Sequence, residues 1–177
     1  TKSGSRTAYP WLQSPQIRSI VEETTYALDR IDRKILQALV EDGRVSWRDL
    51  AEQVGLSTTP VLRRVKALEE RGIIKGYSAT LDEARLAGGL SVFVQISLDK
   101  QDAGALVKFE EQIKLAPQVM SCFLMTGDFD YLLRVVTPSV EAFEIFLTNK
   151  LARIPGVAHL KSSFALKAIM VRQAPLV

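Results

Sequence analysis

The sequence predicts an α+β protein with a helical N-terminal domain and a sheet-containing C-terminal domain. Apolar residues recur at helical spacing from Leu28 to Leu68, whereas the chain beyond Leu90 alternates strand-like and helix-like runs. The chain has 177 residues, 47% of them hydrophobic, which is enough for two packed cores. We expect a flexible leader, an N-terminal domain, a linker and a C-terminal domain over residues 1–27, 28–77, 78–89 and 90–171.

Two short helices joined by a tight turn are predicted between Ser46 and Gly72. Ser46 is a good N-cap, and Gly55 ends the first helix because glycine adopts the left-handed conformation at low cost. We expect Ser57 to cap the second helix. Its inward stripe consists of apolar residues at helical spacing: Val61, Val65 and Leu68.

The segments on either side complete a compact unit. Residues 28–42 predict a further helix with one apolar stripe, which supplies the third helix that the pair needs to bury its core. Residues 73–77 change to an extended pattern, and we expect a wing or exit strand there. Together these segments predict a winged helix-turn-helix.

The second helix of the pair has the composition of a helix that enters the major groove of DNA. Such a helix needs small polar residues near the base edges and cations near the phosphates. We therefore predict binding to double-stranded DNA; the alternative is an ordinary helical hairpin with a solvated charged face. The candidate contacts are polar, aromatic and basic residues of this unit: Ser46, Trp47, Arg48, Ser57, Thr58, Thr59, Arg63, Arg64, Lys66 and Lys75.

The charge distribution agrees with a few placed phosphate contacts. The net charge is +3; residues 28–80 carry ten Lys and Arg against eight Asp and Glu, and residues 81–177 carry ten against ten. This small surplus argues against a broad polybasic surface.

The C-terminal half predicts a βαββαβ order, which is typical of a ferredoxin-like domain with both helices on one face of a four-stranded antiparallel sheet. The expected strands cover residues 90–98, 119–126 and 131–136, with a last one from 162 towards 170. The expected helices cover residues 102–115 and begin again at Ser139, with an inward stripe of Val140, Phe143, Leu147 and Leu151.

The other face of this sheet is predicted to be apolar. Phe93, Phe123, Leu133 and Phe164 cannot all point towards the helices together with their neighbours. We therefore expect dimerisation through this domain. Two DNA-binding units related by a two-fold axis would match a near-palindromic site.

Neither catalysis nor metal binding is indicated. The single histidine, His159, lacks a partner at ligand spacing, and the carboxylates of Asp128 and Asp130 on one turn are a weak signal for a divalent ion. The single cysteine, Cys122, lies in an apolar run and predicts a buried structural thiol. No apolar run reaches the ~20 residues of a membrane span and no signal peptide is visible, so we expect a cytoplasmic protein. Because the sequence contains no Gly-rich phosphate loop, CxxC or HExxH motif, we expect that it is not an enzyme.

Several spaced segments resemble the Lrp/AsnC family, the leucine-responsive and asparagine-responsive regulators. The residues that carry the resemblance are LDRIDRKIL (28–36), DGRVSWRDLAEQVGLSTTPVLRRVKALEERGII (42–74), KGYSATL (75–81), TGDFDYLL (126–133) and IPGV (154–157). The resemblance implies a winged-helix DNA-binding domain and a ligand-sensing domain. It also implies dimers that associate further, commonly into octamers, and effectors that are usually amino acids, with no other cofactor.

The resemblance also implies a place for the effector, at contacts between dimers around the turn between the second and third strands. An amino acid zwitterion needs donors for its carboxylate and an acceptor for its ammonium group. The backbone beside Gly127 can supply the donors, and Asp128 or Asp130 the acceptor; the alternative is a plain hairpin in which both aspartates serve turn geometry. The candidate effector contacts are Met125, Thr126, Gly127, Asp128, Phe129, Asp130, Ser163, Phe164 and Ala165.

The sequence thus predicts a sequence-specific DNA-binding transcriptional regulator that a small effector modulates. One alternative is an architectural protein that wraps DNA with little choice of sequence. Another is a metabolic sensor that acts on protein partners.

Overall fold

The computed structural model describes residues 28–100 and 102–172. They divide into two compact units: one comprises residues 28–80 with 170–172, and the other comprises the described residues of Leu81–Ile169. The predicted leader, residues 1–27, lies outside the described residues. No helix in the described part is both long and apolar enough to cross a membrane.

The N-terminal unit contains the three predicted helices: α1 (Arg30–Glu41), α2 (Trp47–Val54) and α3 (Thr58–Glu70). Asp29 caps α1 by accepting hydrogen bonds from the backbone N–H groups of Ile31 and Asp32. Gly55 ends α2 in the left-handed conformation at φ 73°, as predicted. The helices pack around apolar side chains that are almost fully buried: Ile35, Leu36, Leu50, Ala51, Val54, Val61, Val65 and Leu68.

The expected exit strand over residues 73–77 is not formed within the described N-terminal unit. The backbone N–H groups of Ile73 and Ile74 instead donate to the carbonyl oxygen of Leu68, at 3.0 and 3.2 Å, and Gly72 turns the chain at φ 70°. This is how a helix C-terminus satisfies its last carbonyl groups. The apolar pair therefore closes the end of α3 and does not join a sheet.

The C-terminal unit confirms the predicted βαββαβ order, preceded by one short helix. The elements are α4 (Glu83–Ala87), β1 (Leu90–Leu98), α5 (Ala103–Lys114), β2 (Val119–Leu124), β3 (Tyr131–Thr137), α6 (Val140–Asn149), a 3₁₀ turn (Leu151–Arg153) and β4 (Val157–Phe164). The sheet is antiparallel in the order β2-β3-β1-β4. Both long helices pack on one face, where Phe109 and Phe143 cover Val94 and Leu133.

The last strand and the second long helix of this unit differ in detail from the prediction. The last strand begins earlier than expected, at Val157, and ends at Phe164, so the apolar residues after it do not extend the sheet. Val140 is 54% exposed because it is the first residue of α6, and only Phe143 and its successors on that stripe reach the core.

The strand register divides the four residues expected to crowd the sheet between its two faces. Leu133 and Phe164 lie on the helix-covered face, opposite Val94 and Val92, and the Phe164 ring lies 5.7 Å from that of Phe143. Phe93 and Phe123 have the other parity and are exposed on the outer face. The outer face is therefore partly apolar, and less so than the sequence suggested.

Cys122 is exposed, so the expected buried thiol is wrong. The residue pairs with Leu133 and therefore faces the helical side, but β2 is an edge strand and α5 does not cover it fully. Partial desolvation, reinforced by the nearby charge of Glu110, raises the pKa of the thiol to about 11.

Candidate functional site

The start of α2 is fixed by a reciprocal pair of hydrogen bonds. Ser46 Oγ accepts from the backbone N–H of Asp49 at 3.1 Å and donates to the carboxylate of Asp49 at 2.6 Å. Trp47 and Arg48 follow in the first turn, and both are exposed. The cap thus leaves the Trp47 indole and the Arg48 guanidinium exposed to solvent at the start of α2.

The N-terminus of α3 carries three exposed hydroxyl groups, those of Ser57, Thr58 and Thr59. Ser57 occupies the N-cap position, but the expected side-chain capping bond is not formed within the described residues. Its hydroxyl is therefore not engaged by the cap. Small polar groups at this end of a helix suit the edges of base pairs.

The predicted cations of this unit divide into two kinds. Arg63, Lys66 and Lys75 are exposed, and the Lys66 ammonium lies 3.7 Å from Glu70 one turn along the helix. Arg64 differs, because its Nη1 lies 2.6 Å from Asp29 Oδ2 and 2.7 Å from Asp32 Oδ1. Hydrogen bonds to these two carboxylates raise the pKa of Arg64.

The turn between β2 and β3 is held by backbone hydrogen bonds at its base. Met125 N–H donates to the Asp130 carbonyl oxygen, and Asp130 N–H donates to that of Ile96, each at 2.8 Å. Between them Gly127 adopts φ 125°, and Thr126 and Asp128 are exposed, with Phe129 partly buried.

The two aspartates of this turn are not equivalent. The Asp130 carboxylate is buried and accepts a hydrogen bond from Leu98 N–H at 2.7 Å. It therefore joins the turn to the end of β1, whereas Asp128 presents its carboxylate at the surface.

The second part of the predicted effector site lies at the opposite end of the sheet. Ala165 N–H donates to the carbonyl oxygen of Ser91, and Ser163 pairs with Phe93 near the start of β1. The turn instead bonds to Ile96, five residues further along β1, or about 17 Å at ~3.4 Å per residue. One chain therefore does not bring the two parts together.

Four charged residues with clear structural roles were not singled out from the sequence: Asp29, Asp32, Glu83 and Arg134. Arg134 lies on the outer sheet face and donates to both carboxylate oxygens of Glu83 in α4, which lowers the pKa of Glu83. Asp29 could have been found, because an aspartate just before an apolar helical stripe is a strong N-cap signal. The other three are recognisable only from their long-range partners.

Within residues 28–100 and 102–172, no cluster of three or more His, Cys, Asp or Glu side chains is placed to hold a metal ion. His159 is exposed on β4.

Comparisons with known proteins agree with this two-domain arrangement. A winged helix-turn-helix DNA-binding family model matches residues 28–75, and the Lrp/AsnC ligand-binding domain model matches residues 91–175. The Bkd operon transcriptional regulator of Pseudomonas aeruginosa is 64% identical over 148 residues, which are 84% of this chain and 97% of that protein.

Two further relatives are more distant. The leucine-responsive regulatory protein of Escherichia coli is 43% identical over 130 residues, covering 73% of this chain and 79% of that one. A transcriptional regulator from Neisseria meningitidis, solved as a complex with L-Met, has a TM-score of 0.80 and 39% identity, and the match covers 84% of this chain and 97% of that chain. The chain therefore belongs to the Lrp/AsnC family of transcriptional regulators.

Proposed function

We propose that this regulator reads DNA by placing α3 in the major groove. The supporting observation is the division of α3 into a buried stripe (Val61, Val65 and Leu68) and an exposed N-terminal hydroxyl cluster followed by Arg63. Ser57, Thr58 and Thr59 contact base edges in this scheme. The exposed cations Arg63, Lys66 and Lys75, together with Trp47 and Arg48 at the start of α2, contact the sugar-phosphate backbone of the DNA. The Ser46 hydroxyl is left out of this set, because it donates its proton to the Asp49 carboxylate.

We also propose that the active form is a homodimer that assembles further, to an octamer, and that it binds near-palindromic sites. Phe93 and Phe123 are 39% and 56% exposed on the outer sheet face, which favours pairing of this face with a second copy. A two-fold axis then repeats the DNA-binding unit, so the site repeats with inverted symmetry.

The effector is proposed to be an amino acid bound between chains. The turn and residues 163–165 lie at opposite ends of β1, so a ligand small enough to be an amino acid contacts both only when they come from different chains. The L-Met complex of the Neisseria relative supports this ligand class. Asp128, exposed on the turn, is the proposed partner of the ammonium group.

The proposed domains are those predicted from the sequence, with the DNA-binding domain ending at residue 77 and the effector domain beginning at residue 90. The division of the structure between Thr80 and Leu81 supports a boundary in this region. The proposal includes no catalytic reaction and no resident cofactor, and it places the protein in the cytoplasm, where a DNA-binding regulator acts.

The DNA-binding proposal is tested by selecting duplexes from a random library with the full-length protein. We expect an enriched near-palindromic sequence that is bound at least about 1,000-fold more tightly than random duplex. Equal affinity for both would contradict it and favour an architectural role. Absence of binding at low salt would leave a sensor that acts on protein partners.

The effector proposal is tested by a thermal-shift screen of the twenty amino acids, with light scattering on each that binds. We expect one or more to raise the melting temperature and to change the particle mass, because a ligand between dimers has different affinities for the two assemblies. Asp128→Asn should abolish the shift, whereas Glu111→Gln, an exposed acid on α5, should retain it. Loss of the shift in both variants, or in neither, would count against the turn as the site.

A further inference from the structure

We propose that Arg64 is a positioning residue for DNA recognition, which holds the middle of α3 against the first turn of α1 and does not contact a phosphate. The inference rests on the proposed DNA-binding function. It separates Arg64 from its neighbour Arg63, although the two are indistinguishable in the sequence.

The first observation is the geometry around the guanidinium group. Its Nη1 donates to Oδ2 of Asp29 at 2.6 Å and to Oδ1 of Asp32 at 2.7 Å. The Asp32 side chain is only 13% exposed and that of Arg64 33%, so this pairing is partly shielded from water. Charge-assisted hydrogen bonds of this length are among the stronger polar contacts in proteins.

The second observation is that the acceptor on α1 is itself held in place. Asp29 is the N-cap of α1, and its Oδ1 accepts hydrogen bonds from the N–H groups of Ile31 and Asp32, each at 2.8 Å. Its other carboxylate oxygen is thereby directed at Arg64. Both the hydrogen bonds from the helix terminus and the one from Arg64 lower the pKa of Asp29, so the carboxylate stays charged.

The consequence for recognition follows from what apolar packing leaves undetermined. Burial of Ile35, Val61 and Leu68 joins the helices, but the hydrophobic effect is non-directional and does not by itself favour one orientation of α3 as hydrogen bonds do. Directional bonds from one residue to two carboxylates of α1 restrict them. A misplacement of α3 would move Ser57 to Thr59 relative to the base edges.

The electrostatic balance also argues against a phosphate contact. Arg64 lies within hydrogen-bond distance of two carboxylates, so the three groups together carry one net negative charge. Such a group does not attract a phosphate, whereas Arg63 is exposed and forms no ion pair with an acidic side chain among the described residues.

The experiment compares Arg64→Gln, Asp32→Asn and Arg63→Gln in the full-length protein on the duplex that the wild type selects. For Arg63→Gln we expect the slope of log affinity against log salt to fall by about 0.9, the value of one lost phosphate contact. For Arg64→Gln we expect the slope to stay unchanged while affinity falls about threefold to tenfold, as for a lost charge-assisted contact.

Asp32→Asn decides between the two roles, because it weakens the contact between Arg64 and α1 while keeping the cation. A positioning role predicts lower affinity in this variant, whereas a phosphate contact predicts equal or higher affinity. A reduced slope for Arg64→Gln together with undiminished affinity for Asp32→Asn would overturn the inference. Circular dichroism verifies that each variant is folded. If Arg64→Gln does not fold, Arg64→Lys, which retains the charge, takes its place.

Failure of the proposed function has a different signature, since the wild type would then select no duplex. In that event, a double-mutant cycle of Arg64→Gln and Asp32→Asn, measured by thermal unfolding, still tests whether Arg64 and Asp32 interact. Positive coupling between the two substitutions supports the interaction, and additive losses contradict it.

Discussion

Asp130 Oδ2 lies 2.7 Å from the backbone nitrogen of Leu98 and accepts its hydrogen bond. Leu98 is the last residue of β1 and follows a register shift between Ser97 and Leu98 in its pairing with β4. The carboxylate thus satisfies a buried N–H group where the ladder is irregular. Asp128, two residues earlier on the same turn, is exposed.

We expect Asp130→Ala to lower the free energy of unfolding by about 1–3 kcal/mol, because the substitution leaves the buried N–H of Leu98 without this acceptor. Asp128→Ala should change it by less than about 0.5 kcal/mol, as is usual at exposed positions. Urea unfolding followed by circular dichroism measures both. Equal losses in the two variants would contradict the structural role of Asp130.

Gly88 is predicted to tolerate no side chain. A Cβ atom there would lie 2.4 Å from Cα of Pro138, and the residue has φ 82°. Gly127 is a matched control in the same unit, since it has φ 125° and nothing within 4 Å of such an atom. We expect Gly127→Ala to cost about 1–3 kcal/mol from the backbone alone. Gly88→Ala should cost about 1–3 kcal/mol more than Gly127→Ala because of the clash, and urea unfolding measures both losses. Similar losses in the two variants would show that α4 can move away from Pro138 at little cost.

The Glu83–Arg134 pair is predicted to hold α4 on the outer sheet face. The pKa of Glu83 is lowered in the folded protein, so its contribution is present above the ordinary pKa of 4.5 and is lost as the pH falls. Because the pair is partly exposed, Glu83→Gln should lower the free energy of local opening of α4 by only about 0.5–1 kcal/mol. Hydrogen exchange of residues 83–87 at neutral pH should then be about twofold to fivefold faster than in the wild type.

Acidification provides the matched measurement for this prediction. The difference in exchange between wild type and Glu83→Gln should disappear as the pH falls through the lowered pKa of Glu83. A difference that persists in acid would assign the effect to the shape of the side chain and not to its charge.

Cys122 is predicted to react slowly although it is exposed. Its pKa is raised from 9.0 to about 11, so near neutral pH it has about 100-fold less thiolate than an ordinary cysteine. We expect alkylation by iodoacetamide to be slower than that of a model peptide by roughly this factor. The rate should continue to rise with pH beyond 9, provided that the fold is intact. A rate equal to that of the peptide would show that the thiol is not desolvated.

Much of the fold could be predicted because its signals are local. The inward stripe of α3 and the left-handed Gly55 depend on neighbours within a helical turn or two, and β1 has the predicted bounds, Leu90–Leu98. The expected strand over residues 73–77 was wrong for a related reason. An apolar pair is compatible with either a strand or a helix C-cap, and only the positions of its hydrogen-bond partners distinguish the two.

For the candidate site, the sequence alone determined which segments carry polar and charged side chains, and tertiary structure decided what each side chain does. Arg64 with Asp32, and Asp130 with Leu98, are each separated by 32 residues. Periodicity describes contacts three or four residues apart, so it could not distinguish Arg64 from Arg63 or Asp130 from Asp128. Those roles are set by which helix or strand end the folded chain places beside each charge.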